Sequence, residues 1–222
     1  MAIKQSPWQS RGFRLSPLAM QASGLTAWEL FCRRGDRFLF GSLDLWLDRG
    51  AAMHLVGPNG IGKSSLIRIL AGLLRPSPTG YGKGSGTSTA GSVHWNGNVG
   101  LLDGHMALDP QLPLANALAF WSRIDRGTPP FARLGLDGLE DVPVRLLSTG
   151  QKKRAAFARL LGQNSNHWLL DEPLNGLDDA GVSLVEELIA EKRSGGGVVV
   201  VASHQPIAMP SAQILDLRKH PY

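Results

Sequence analysis

Residues Gly57 to Ser64 read GPNGIGKS and match the pattern G-x-x-x-x-G-K-[ST] at every fixed position. The apolar run Ala51 to Val56 before it suits a buried parallel strand. Ser64 to Leu74 after it carries Leu66, Ile67, Ile69, Leu70, Leu73 and Leu74, the wide apolar face of a helix. A strand, a glycine-rich turn and a helix in that order form a phosphate cradle. Gly57, Gly60 and Gly62 free the backbone to curl, so that N–H groups of the loop beyond Pro58, including Asn59 and Ile61, and of the helix start can face an anion. The helix N-terminus adds positive potential. Lys63 is placed to meet β- and γ-phosphates, and the Ser64 hydroxyl, with Ser65 beside it, to meet Mg²⁺. A plain glycine turn capping a helix is the competing reading, and the flanking strand and helix weigh against it.

Four further stretches downstream bear on the same chemistry. HWLLDEP, His167 to Pro173, is an apolar strand ending in two carboxylates. Asp171 at its tip is expected to hold Mg²⁺, and Glu172 to polarise an attacking water. LSTGQKKR, Leu147 to Arg154, puts Ser148 and Thr149 before a basic helix, where either could be a simple cap. Ser148 and Gly150 are also donors near a helix N-terminus, and so could serve a phosphate. LNGLD, Leu174 to Asp178, follows the acidic strand, and VVVVASH ends a further buried run in His204.

In this order the motifs resemble those of ABC ATPases over roughly residues 25 to 217. The resemblance implies an α/β fold with a mostly parallel core sheet, an N-terminal antiparallel β region and a helical subdomain at about 105–162. It implies that ATP and Mg²⁺ are bound, and that two copies sandwich the nucleotide. Ser148, Gly150 and Gln151 would then face the γ-phosphate held by the partner, Asp178 would lie in the D-loop, and His204 would be the switch histidine. LFCRRGDRFLF, Leu30 to Phe40, and Asp103 to Trp121 resemble the ATP-binding subunit of cytochrome c biogenesis (Ccm) systems, or heme exporters. The Gly104–His105 pair stands where other ABC proteins carry a glutamine, which implies a nucleotide-linked role for His105. That likeness implies an integral-membrane permease and heme-handling membrane proteins as partners, at the cytoplasmic face of the bacterial inner membrane. An exporter of another substrate, such as a lipid or drug, is the alternative. Thr149 departs from the usual glycine, a residue is missing after His105, and Pro113 and Asn116 replace the usual Thr and Glu. No aromatic residue stands where adenine is usually stacked. Arg34 could take that part or be a surface residue.

Composition sets the frame. With 222 residues the chain can bury one large α/β core, and one cysteine precludes a disulfide framework. No apolar run reaches bilayer length, and the lysine near the start is followed by no apolar segment, so a cytoplasmic enzyme is expected. The net charge of +5 sits in short clusters such as Arg33, Arg34, Arg37 and Lys152, Lys153, Arg154. A solvated basic face accounts for them as well as nucleic acid would, and no nucleic-acid partner is expected. Residues 1–24, broken by Pro7, Gly12 and Pro17, read as an irregular arm. Residues 76–91, PSPTGYGKGSGTSTAG, read as a flexible insertion ahead of a short strand at Val93 to Trp95.

Overall fold

The computed structural model describes residues 23–78 and 90–221. In chain order the strands are β1 (Ser23–Arg34), β2 (Arg37–Asp48), β3 (Ala52–Val56), β4 (Ser92–Trp95), β5 (Val99–Leu102), β6 (His167–Asp171), β7 (Val199–Ala202) and β8 (Gln213–Asp216). The helices are α1 (Lys63–Leu70), α2 (Leu114–Asp125), α3 (Thr149–Gly162) and α4 (Asp179–Ser194). β1 pairs antiparallel with β2 and β4, giving a sheet of order β2-β1-β4. The other five strands lie in the order β5-β6-β7-β3-β8, and every neighbouring pair is parallel. The expected fold class, a parallel core with an antiparallel region and a helical portion, is the one found.

Side-chain alternation along the core strands divides the interior in two. Trp168 and Leu170 of β6, with Val199 and Val201 of β7, point into a core shared with α2, α3 and α4. Leu169 of β6, Val200 and Ala202 of β7 and Met53 and Leu55 of β3 point the other way. There they meet α1 and the inward residues of β1 and β2, including Leu25, Ala27, Leu43 and Leu45. Both faces of the sheet are covered at its centre, which is why β3, β6 and β7 are largely apolar runs rather than alternating.

Several expectations change in detail. The helix after the phosphate loop ends at Leu70, not Leu74, because Gly72 turns at φ 73° and Leu73 is left 68% exposed. The first strand begins at Ser23, and residues 1–22 of the expected arm lie outside the described residues. Of the insertion, Pro78 and Ala90 form an antiparallel bridge, and 79–89 lie outside the described residues. The stretch 105–162 holds two α-helices joined by loops and short 3-10 turns at Ala132–Leu134 and Val144–Leu146. Pro129, Pro130 and Pro143 interrupt it.

Candidate nucleotide-binding site

The carboxyl ends of β3, β6 and β7 carry the three motif segments to one edge of the sheet, the usual ligand edge of such folds. After β3, Gly57, Gly60 and Gly62 take φ values of 135°, 79° and 116°, a conformation other residues rarely adopt. A Cβ on Gly62 would also come within 3.2 Å of Leu39 and Phe40, so the β1–β2 hairpin presses on the loop. Pro58, Asn59 and Gly60 are exposed, while Ile61 packs on the second core. Lys63 is only 6% exposed and its Nζ donates to the carbonyls of Gly57 at 2.8 Å and Pro58 at 3.3 Å. The ammonium is thus held inside the loop it would serve. Ser65 is buried and shares a hydrogen bond with the Cys32 thiol, whose pKa burial pushes up. Cys32 is therefore a packed, unreactive side chain.

At the end of β6, burial raises the pKa of Asp171, and a hydrogen bond from Ser64 works against that rise. Asp171 Oδ1 is buried with no hydrogen-bond partner among the described residues. An orphaned carboxylate oxygen beside a serine hydroxyl fits the hard oxygen donors that Mg²⁺ requires. Glu172 follows at φ 49°, a strained conformation for a side chain of this size. Three contacts hold it there. Its N–H donates to Ala202 O at 2.8 Å, its carbonyl accepts from Lys153 Nζ at 3.0 Å, and Oε2 lies 2.9 Å from His204 Nδ1.

Ser148 caps α3 with a capping box: its Oγ accepts from Gln151 N at 3.2 Å, and its own N–H donates to Gln151 Oε1 at 2.8 Å. Ser148 and Thr149 are exposed. The segment Leu174 to Asp178 packs against them within the same chain. A Cβ on Gly176 would stand 2.4 Å from Thr149 Cγ2, and one on Gly150 would stand 3.1 Å from Gly176 O. Asp178 caps α4 by accepting from Gly181 N at 2.9 Å, and it pairs with Arg154 of α3 at 2.9 Å. The Gly181 N–H and the Arg154 guanidinium hold the Asp178 carboxyl below its ordinary pKa.

A cleft of about 780 Å³ opens between the turn after β5, the start of α3 and the end of β6, lined among others by Asp103, Met106, Thr149, Lys153, Asp171 and Glu172. His105 is not in its wall. Its side chain is 81% exposed, and its nearest charged neighbour is Asp103, 3.5 Å from Nδ1. Asp103 and Met106, on either side of it, line the cleft. Arg34 is exposed at the tip of the β1–β2 hairpin. Sequence reasoning missed Lys153, which was read only as part of a basic cluster. The half-buried ammonium faces Asp171, Glu172 and Asp103, and burial lowers its pKa against their pull.

Residues 40–175 match the ABC transporter family. The cytochrome c biogenesis ATP-binding export protein CcmA of Novosphingobium aromaticivorans is 52% identical over 199 residues, covering 90% of this chain and 98% of that protein. The protein of the same name from Rhodospirillum rubrum is 40% identical over 231 residues, covering 95% and 91%. An ABC transporter ATP-binding protein from Pyrococcus furiosus superposes with a TM-score of 0.69 at 19% identity, covering 89% of this chain and 99% of that one. The ADP conformation of another ABC transporter's ATP-binding cassette superposes with a TM-score of 0.63 at 19% identity, covering 83% and 82%. The two structures bear on the fold, and the two sequences reach further: the chain belongs to the cytochrome c biogenesis ATP-binding export proteins within the ABC transporter ATPases.

Proposed function

We propose that this chain hydrolyses ATP to drive a membrane export complex of c-type cytochrome biogenesis, with heme, or release of heme from its chaperone, as the task. Binding of ATP and its use for transport follow from membership of the ABC transporter family. The observation that carries the site assignment is the meeting of Ser64, Asp171, Glu172 and His204 at one sheet edge, with an unsatisfied carboxylate oxygen among them. Gly57 to Ser65 would wrap the phosphates, and Lys63 would exchange the Gly57 and Pro58 carbonyls for phosphate oxygens. Ser64 and Asp171 would hold Mg²⁺, which neutralises phosphate charge when bound. The Glu172 carboxylate would take the proton of the attacking water, with His204 fixing its orientation. Exposed Ser148, with Gly150 and Gln151 behind it, would complete the site of a second copy, and Asp178 would lie at the same seam. His105, exposed beside Asp103 after β5, would link the helical segment to the nucleotide.

No helix among the described residues is long and apolar enough to cross a membrane. The translocation path is therefore assigned to an integral-membrane permease, with heme-handling proteins beside it and this chain peripheral on the cytoplasmic face. A strain whose only copy carries Glu172→Gln tests the assignment. Its membranes should lack heme-stained c-type cytochromes, and heme should accumulate on the chaperone. Normal c-type cytochromes in that strain would leave the ATPase standing and overturn the heme assignment.

A further inference from the structure

At the opposite edge of the parallel sheet, where the strands begin, lies a second cleft of about 470 Å³. Arg49 before β3, Asn96 after β4, Ser165 and His167 at the start of β6, and Lys192 with Gly196 at the end of α4 supply its wall. It shares no residue with the nucleotide site.

The two cations of this cleft lack counter-charges. Arg49 makes no hydrogen bond or ion pair among the described residues. Its guanidinium lies against the Gly195–Gly197 turn, where a Cβ on Gly196 would be 3.5 Å from Nε and Nη2. Lys192 Nζ donates to Ser165 O at 2.7 Å and sits 4.8 Å from the centre of the Trp168 ring. Burial pushes the Lys192 pKa down and no carboxylate offsets it. The one acidic residue lining the cleft, Glu191, is turned to Arg133 in an ion pair. Glycine at 197 lets the lysine stem pass, since a Cβ there would meet Lys192 Cδ at 2.7 Å.

The remaining wall offers dipoles, not charge. His167 is 3% exposed, accepts at Nδ1 from Val198 N at 3.0 Å and bonds through Nε2 to Asn96 O at 2.9 Å. That pairing requires the neutral Nε2–H tautomer, so the ring adds no charge of its own. Ser165 is also 3% exposed, and its Oγ is buried without a partner among the described residues. Both cations act on the His167 ring beside them, and an anion in this polar, half-enclosed space would supply the counter-charge that neither has. The volume exceeds what one oxyanion needs and falls in the range of small-molecule sites.

We propose that this cleft is a second anion site, taking a phosphate group between the Arg49 guanidinium and the Lys192 ammonium. A guanidinium matches phosphate oxygens in pairs and the ammonium adds a point charge, a combination suited to a phosphate group. The phosphate could be carried by a soluble molecule or by a lipid headgroup. Either way the ligand ties the end of α4 to the starts of β3 and β6.

The test reads His167 directly. The imidazole resonances of the full chain are titrated with sodium phosphate against sodium chloride at matched ionic strength. A saturable phosphate-specific shift is expected at His167. Arg49→Gln and Lys192→Gln should each weaken it about tenfold or more, while Arg49→Lys and Lys192→Arg, which keep the charge, should retain much of it. Lys63→Ala separates this site from the nucleotide loop and should leave the His167 shift in place. Sedimentation with phosphatidylcholine vesicles, with and without phosphatidylglycerol, then names the source. Retention that needs both the anionic lipid and the two cations points to a headgroup, and phosphate binding without retention points to a soluble ligand. No phosphate-specific shift at His167, or one that persists in Arg49→Gln, Lys192→Gln or vanishes in Lys63→Ala, overturns the proposal.

Discussion

His204 Nδ1 lies 2.9 Å from Glu172 Oε2, so the side chains that follow β7 and β6 meet across the edge of the sheet. A carboxylate oxygen only accepts, so the hydrogen bond runs from Nδ1–H to Oε2. Glu172→Gln keeps the shape and loses the base, and is expected to cut turnover by about 10²–10⁴-fold. ATP should remain bound, and light scattering after gel filtration with ATP should report a dimer. A monomer at high protein and ATP concentration would count against the shared site. His204→Ala should lower kcat as well, with little change in nucleotide affinity.

Lys153 joins α3 to the Glu172 carbonyl at 3.0 Å, and so connects the helix capped by Ser148 to the proposed base. Lys153→Met removes this hold on a residue kept at φ 49°. We expect kcat to fall about tenfold, the cost of one hydrogen bond to a charged group, with the Kd for ATP nearly unchanged. Lys153→Arg should recover part of the rate. A loss of affinity as large as the loss of rate would place Lys153 on the nucleotide instead.

Gly176 and Thr149 are matched in size. At φ 81°, with 2.4 Å between a notional Cβ and Thr149 Cγ2, Gly176→Ala is both strained and overpacked. A loss of about 2–4 kcal/mol is expected from the two effects together. Thr149→Ser removes only the offending methyl, so the double variant should regain the overpacking share. Urea unfolding of the four proteins of this cycle measures the coupling, and additive effects would show that the two residues do not press on each other.

Burial, together with Arg49 and Lys192 nearby, lowers the His167 pKa below its ordinary value. The unfolded chain then binds the proton first. Stability from the neutral ring is complete above about pH 6.5 and is lost as pH falls toward the depressed value, with a slope approaching about 1.4 kcal/mol per unit. His167→Gln should be less stable at neutral pH and should lack this slope. Denaturant midpoints between pH 7.5 and 5 compare the two, and parallel curves would remove His167 as the source.

Lys63→Ala removes an ammonium nearly enclosed by its own loop. Nucleotide affinity should fall by about tenfold to a hundredfold, the scale of a charged hydrogen bond. A fluorescent ATP analogue reports it, and wild-type affinity would refute the loop as the phosphate site.

Much of the fold could be read in advance where burial is two-sided. The apolar runs of β3, β6 and β7 announce a parallel sheet, and the glycines and lysine of the loop between β3 and α1 announce its ligand. The two strands that escaped notice lie at the sheet's margins. β8 exposes Ile214 at 60%, so no unbroken apolar run marks it, and β5 is only VGLL. The helix beyond Leu70 was overdrawn because Leu73 and Leu74 continue the apolar spacing, and only the Gly72 turn redirects them. Position in a motif order also cannot tell which of Asp103, His105 and Met106 faces inward. That depends on the turn after β5, where Asp103 accepts the His105 N–H at 2.9 Å.

The Ser148 capping box divides the labour of a single hydroxyl. Its oxygen lone pair is committed within the chain, to Gln151 N, which leaves its hydrogen to be donated outward from an exposed position. Folding draws on one pole of this O–H group, and the proposed phosphate contact would draw on the other. Alanine would forfeit both, whereas a residue that only accepts, such as aspartate, would preserve the helix and turn a phosphate away.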